Sequence, residues 1–283
     1  MLARLDGLAG EIADLRREFE GHLRQTAAAF GRLQDTLQAI HDHERELRER
    51  LRAARARDSY ELAYEDPDPL VTIVIPTFTN VEPLIARAVP SVLAQSHGNV
   101  EVVVVGDAAP PATGERLREL GDERVRYVNL PHRGPYPEEA RALWHVAGVP
   151  PRNHGFALAG GRWIGQLDDD DALAVDHVER LLDLARAERA EVAYGRLHCV
   201  MTSDEDFELG SFPPRLGQFG WMAALMHADL RFFEQELTDA LFALPADWAL
   251  CRRMLRAGVR FAHLEEVVTE HYESTFSPDY EAS

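Results

Sequence analysis

Val71-Thr72-Ile73-Val74-Ile75-Pro76 and Val100-Glu101-Val102-Val103-Val104-Val105 are near-continuous β-branched runs of strand length, separated by a helical stretch from about Glu82 to Gln95. Strands without apolar–polar alternation are buried on both faces, as parallel strands covered by helices are. Pro76 stops the first run and Gly106-Asp107 the second. Two further candidates, Val125 to Val128 and Arg162 to Leu167, continue the pattern. The expected fold is therefore α/β, a Rossmann-like open, mostly parallel sheet with flanking helices. In such sheets ligands bind beyond the carboxyl ends of the strands. Pro76-Thr77, Gly106-Asp107 and the four consecutive aspartates Asp168 to Asp171 all fall at those ends, so the sequence gathers them on one rim.

Four adjacent carboxylates repel one another and oppose each other's ionisation. Either solvent disperses that charge on an exposed turn, or a bound cation uses it. Position at a strand end favours the cation. The net charge of −18 argues against a nucleic-acid partner, since a phosphate backbone wants a basic surface. All 30 basic residues other than histidine are arginine, which excludes Schiff-base and lysine-nucleophile chemistry. Cys199 and Cys251 form no spaced framework and are expected to be buried thiols. No apolar run is long enough for a membrane span, and the leucine–charge alternation of residues 1–15 is not that of a signal peptide, so a cytoplasmic protein is expected.

Residues 1–57 are expected to form a separate element. Leu5, Leu8, Ile12, Leu15 and Phe19, then Leu23, Thr26, Phe30, Leu33, Leu37, Ile40, Glu44, Leu47, Leu51 and Ala54, follow the narrow seam of a coiled coil. A stutter lies at Leu15-Phe19-Leu23. Such a seam needs a partner helix, and a homo-oligomer through this segment is the leading expectation; docking on another protein and a lone solvated helix are the alternatives. Residues 58–69, with Pro67 and Pro69, are expected as an extended linker. The remainder, 70–283, is expected as one domain of two halves, 70–175 and 176–283.

The segments VTIVIPTFTN, SVLAQSHGNVEVVVVGD and PPRNHGFALAGGRWIGQLDDDDAL resemble, in order and spacing, the N-terminal half of family 2 glycosyltransferases. Ser91-Val92-Leu93-Ala94-Gln95 and Arg152-Asn153-His154-Gly155 carry much of that likeness, which covers roughly residues 70 to 275. The resemblance implies a GT-A fold, an inverting transfer, a nucleotide-diphosphate sugar donor and a divalent cation, Mn2+ or Mg2+. A cation held by carboxylate oxygens neutralises the charge that develops on a departing diphosphate.

It also implies roles for residues. Asp170 would ligate the cation, with Asp168 on the ribose or supporting the metal and Asp169 beside them, while Asp171 suits a cap for the helix after it. Pro76, Thr77 and Asp107 would line the nucleobase pocket; a carboxylate there accepts the imide N–H of uracil, which favours a UDP-sugar. The family has Asp-Asp-Gly-Ser where this chain has Gly106-Asp107-Ala108-Ala109. Arg152 would face the diphosphate. Asp247 is the candidate base that deprotonates the acceptor, or else a helix N-cap; Ala246 stands where the family has a second acid. His271 is a candidate metal ligand or a structural histidine. Trp221, Met222 and Phe232-Phe233 suit a core more than an acceptor wall. The alternatives are a non-catalytic assembly protein with a relic transferase domain, and a sugar-1-phosphate nucleotidyltransferase, which the missing Gly-rich loop and lysine disfavour.

Overall fold

The computed structural model describes residues 2–202 and 204–273. The chain divides into two compact units, Met1–Glu49 and Arg50–Ser283. The first is helical: the helix Leu2–Arg55 fills it and continues into the second. Its 54 residues extend about 80 Å at 1.5 Å per residue. Of the expected seam, Phe19, Leu23 and Phe30 are 64%, 53% and 61% exposed. Leu5, Leu8, Ile12, Leu15, Leu33, Leu37 and Ile40 lie outside the described side chains.

In the second unit the expected linker begins instead with a two-turn helix, Asp58–Glu65. Its Tyr60, Ala63 and Tyr64 are buried in the main core. Tyr60 stacks on His227 at 4.4 Å, Tyr64 meets Trp163 edge-on at 5.5 Å, and Trp163 Nε1 donates to the Ala63 carbonyl at 3.0 Å. The prolines dictate an extended path only after Glu65. The aromatic pair four residues apart, on one helix face, outweighs them upstream.

Among the described residues nine strands form one sheet: β1 Val71–Thr77, β2 Val100–Gly106, β3 Val125–Asn129, β4 Trp163–Gln166, β5 Ala172–Leu173, β6 Val192–Val200, β7 Phe207–Leu209, β8 Ala224–His227 and β9 Phe261–Tyr272. The order is β3-β2-β1-β4-β8-β6-β9-β5, with β7 paired to β6. β1 is buried along its whole length and runs parallel to β2 and β4, as β2 does to β3. Beyond β4 the sheet changes character: β8 is antiparallel to both β4 and β6, and β5 is antiparallel to β9. The sheet is therefore mixed rather than mostly parallel. The parallel half is built from the continuous β-branched runs. β8 is Ala-Leu-Met-His, with no β-branched residue to announce it.

Helices cover the parallel half closely. A Cβ on Gly155 would collide with Val74 of β1, so only glycine lets the helix Val149–Leu158 approach so near. Ser91 and Gln95 brace the corner that follows the acidic run. Ser91 Oγ accepts from Leu173 N–H at 3.1 Å, and Gln95 donates to the Ala174 carbonyl at 2.7 Å and accepts from Val178 N–H at 3.0 Å.

Candidate active site

The parallel pairing of β1, β2 and β4 brings Thr77, Asp107 and the Asp168–Asp171 run to one end of the sheet. Pro76 is buried inside β1 opposite Val105, and the Asp107 N–H donates to the Thr77 carbonyl at 2.8 Å. The Asp107 carboxylate accepts from Gly134 N–H at 3.0 Å and Tyr136 Oη–H at 2.6 Å. Burial and that carboxylate both raise the Tyr136 phenol. The departure at position 106 has a steric cause: a Cβ on Gly106 would run into Asn129 and the Tyr127 hydroxyl.

Each aspartate of the run has its own surroundings. Asp168 accepts from Arg152 Nη2 at 2.7 Å. Asp169, 9% exposed, accepts from Thr77 Oγ1 at 2.6 Å and Asn80 Nδ2 at 3.0 Å. Burial pushes it up to about 6 against those two bonds. Asp170 is half-buried, and its carboxylate accepts no hydrogen bond from a described residue. Burial, then Asp171, Asp168 and Asp169, push it up to about 7. Its carbonyl accepts from Arg87 Nη1 at 2.7 Å, and Arg87 lies over the Tyr272 ring at 3.5 Å.

Asp171 is fully buried and caps no helix; Asp176 is the residue at the start of His177–Glu188. Its carboxylate instead takes the Tyr272 N–H at 2.9 Å and His271 Nδ1 at 3.0 Å. Burial alone would lower His271, but the bond to Asp171 and the charges of Asp171, Asp168 and Asp170 raise it to about 9. The result is a charged pair that fixes the imidazole, as carboxylates fix metal-binding histidines.

Arg152 connects two carboxylates. One Nη is bonded to Asp168 and the other to the Ala147 carbonyl at 2.7 Å, while its positive charge also acts on Asp247. This gives Arg152 partners within the chain, where the sequence had turned it toward a diphosphate. Asp247 lies in the first turn of the helix Ala246–Ala257 and is not its N-cap, which is Pro245. Burial raises the Asp247 carboxyl, and Asp168 adds to this, against Arg152, Gln166 and Gln235. Gln235 Nε2 donates to Asp247 Oδ1 at 2.9 Å, and Trp221 Nε1 to its carbonyl at 2.9 Å. Ala246 is buried against Val146 and Val149, an apolar contact in which a second acid would be desolvated. Trp221 and Phe233 are buried core residues.

Does this corner fit a divalent cation? Among the described residues no group of three or more His, Cys, Asp or Glu side chains stands ready to enclose one. Asp168, Asp169 and Asp171 are each bonded to neighbours, and only Asp170 is uncommitted. Hard cations of the magnesium type are commonly held by one or two carboxylates plus substrate phosphate oxygens. The residues fit a cation that shares its coordination with a diphosphate; they do not form a closed resident site.

Sequence reasoning assigned no role to Asn80, Tyr136 or Gln235, which the structure adds to the corner. Asn153 was matched only as part of a motif.

An α/β sheet with an acidic cluster beyond its parallel strand ends is the architecture of a nucleotide-handling domain. Residues 72–143 and 150–255 match the glycosyl transferase family 2 domain, and the chain belongs to that family. Membership removes the nucleotidyltransferase alternative. Among similar proteins is the succinoglycan biosynthesis protein ExoO of Rhizobium meliloti, 36% identical over 136 residues, or 48% of this chain and 35% of that one. Another is an Escherichia coli UDP-Glc:alpha-D-GlcNAc-diphosphoundecaprenol beta-1,3-glucosyltransferase, WfgD, 28% identical over 133 residues and 47% of each chain. The match thus spans less than half the length of either relative. The solved structure of S. aureus TarS with UDP superposes with a TM-score of 0.55 at 14% identity, covering 72% of this chain and 60% of that one. That likeness concerns the fold.

Proposed function

We propose that the chain is an inverting glycosyltransferase that moves a sugar from a nucleotide diphosphate, of the UDP class, to an acceptor hydroxyl, with Mn2+ or Mg2+ as cofactor. One observation carries the reading: Asp170 is a half-buried, unpaired carboxylate at the strand-end rim, crowded by three others, and a cation relieves that crowding. The UDP-Glc in the name of the relative WfgD and the UDP held by TarS support the donor class.

In this proposal Pro76, Thr77 and Asp107 line the base pocket. Each Asp107 oxygen has two lone pairs, so an imide N–H is accommodated beside the Gly134 and Tyr136 bonds. Asp169, held by Thr77 and Asn80, supports the ribose side. Asp170 would hold the cation, supported by Asp168, with His271 joining once its proton is displaced. Arg152 fixes Asp168 and presents positive charge to Asp247. The cation, when bound, supplies charge neutralisation to the departing diphosphate. Asp247 accepts the proton of the acceptor hydroxyl as its oxygen attacks the anomeric carbon and the bond to the diphosphate breaks.

The exposed Phe19, Leu23 and Phe30 support self-association through the N-terminal helix, which sedimentation as a monomer at micromolar concentration would contradict. No helix among the described residues is long and apolar enough to cross a membrane, and Cys199 and Cys251 are buried free thiols; both suit the proposed cytoplasmic location.

The test is slow hydrolysis of UDP-sugars. UDP release that requires manganese and disappears with EDTA and in Asp170→Ala supports the transferase. UDP binding without turnover under any acceptor would support the non-catalytic reading.

A further inference from the structure

Gln235 sits between β8 and the helix Ala246–Ala257 and is 2% exposed. A single side chain clasps its backbone from both directions. Asn153 Nδ2 donates to the Gln235 carbonyl at 2.8 Å, and Gln235 N–H donates to Asn153 Oδ1 at 3.1 Å. Asn153 is the neighbour of Arg152 in the helix Val149–Leu158. One helix therefore fixes both the cation facing Asp247 and the amide that touches it. The Gln235 side chain donates through Nε2 to Asp247 Oδ1 at 2.9 Å. Its other polar atom, Oε1, is buried and accepts no hydrogen bond from a described residue. A buried acceptor left unpaired is costly, so an amide kept at this place needs a reason beyond packing.

We propose that Gln235 is a positioning residue for Asp247: its amide N–H holds Oδ1 of the ionised carboxylate, leaving Oδ2 to take the acceptor's proton. This rests on the reading of Asp247 as the base. An amide suits the task because it is neutral and carries both a donor and an acceptor. While Asp247 is a carboxylate, only a donor can face it. Once Asp247 has taken the proton, its carboxyl has an O–H to give. That O–H lies on Oδ2, so Oδ1 remains an acceptor and keeps its bond from the Gln235 N–H throughout. The other charged groups acting on Asp247 are Arg152 and Asp168. These two are bonded to each other at 2.7 Å. The titratable Cys251 thiol on the same helix is held neutral by burial. Gln166 and Gln235 are the neutral groups acting on Asp247, and Gln235 is the one whose N–H is bonded to Oδ1.

The test compares wild type with Gln235→Met, which keeps the length and removes the hydrogen bonds, and with Gln235→Glu. The first readout needs no turnover: carbon-13 NMR titration of the Asp247 carboxyl, assigned through Asp247→Asn. Removing a donor to the charged form is expected to move its midpoint upward by about one pH unit in Gln235→Met, and further in Gln235→Glu, where a like charge is added. The second readout is manganese-dependent UDP release from UDP-glucose. Its kcat is expected to fall about ten- to a hundred-fold in Gln235→Met, with KM for UDP-glucose changed less than about three-fold. In Gln235→Glu the acidic limb of the rate profile is expected to move to higher pH. An unmoved Asp247 titration overturns the proposal, as does a KM that rises as far as kcat falls. If wild type releases no UDP, the transferase reading fails, while the titration still decides whether Gln235 governs Asp247. UDP binding by each variant separates a lost fold from a lost contact, and Gln235→Glu keeps the question answerable if Gln235→Met does not fold.

Discussion

Replacing Asp170 with asparagine is expected to stabilise the protein while removing its function. Burial and three neighbouring carboxylates raise the Asp170 pKa from 3.8 to about 7. Keeping that group charged in the folded state costs about 4 kcal/mol in full. Allowing for solvent screening on its open side reduces this to about 2 kcal/mol. The folded pKa lies above the unfolded one, so the folded state binds the extra proton. The contribution to stability is whole below about pH 3.8 and lost as pH rises through about 7. Asp170→Asn has no charge to hold. At pH 8, without divalent cations, its Tm is expected to exceed wild type by about 4–8 °C, the shift that about 2 kcal/mol produces in a unit of this size. The gain should shrink steadily between pH 7 and pH 4. Thermal melts of both proteins at pH 8, 6 and 4.5 are the assay. An unchanged Tm at pH 8, or a gain that ignores pH, would refute the idea that the corner stores carboxylate repulsion.

Asp247→Asn should abolish UDP release yet leave UDP affinity within about three-fold, since the side chain acts on the acceptor; parallel loss of UDP binding, measured by calorimetry, would give it a structural role instead. His177 is 1% exposed, and burial lowers it to about 4, below its unfolded value of 6.5. Its neutral form therefore supports the fold above about pH 6.5, and up to about 3 kcal/mol is lost as pH falls toward 4. Urea midpoints for His177→Gln should depend less on pH over that window, and an equal slope would contradict this. Glu191 is fully buried and takes Arg55 Nε and Nη2, each at 2.7 Å, the Tyr60 hydroxyl at 2.6 Å and the Arg260 N–H at 2.8 Å. Glu191→Ala strands those donors and should cost about 3–5 kcal/mol in urea unfolding, whereas a cost below about 1 kcal/mol would show that water replaces it readily.

The parallel half of the sheet was legible because its signal is local. β1 and β2 are continuous β-branched runs, and their ends put Thr77, Asp107 and the aspartates on one rim. Motif residues could also be found before their work was known: Gly155 as the close approach to β1, and Ser91 and Gln95 as braces of the acidic corner. The other half, where β6 and β9 run parallel but β5, β7 and β8 pair antiparallel, lacked such marks, and β8 has neither length nor branched residues to distinguish it. The helix Asp58–Glu65 was hidden by the prolines that follow it, although Tyr60 and Tyr64 share one helical face. What no local pattern encodes is pairing across distance. Asp171 looked like a cap because a helix follows it, yet its partner His271 lies 100 residues away. Gln235 reaches Asp247 through a loop without regular spacing, so nothing in its own neighbourhood singles it out.

Isothermal calorimetry of UDP, with and without Mn2+, on wild type and Asp170→Ala tests the central claim directly. Cooperation between Asp170, a divalent cation and the diphosphate predicts that UDP binds wild type measurably tighter with Mn2+, and that the gain vanishes in Asp170→Ala. UDP affinity indifferent to both Mn2+ and the Asp170 carboxylate would contradict it.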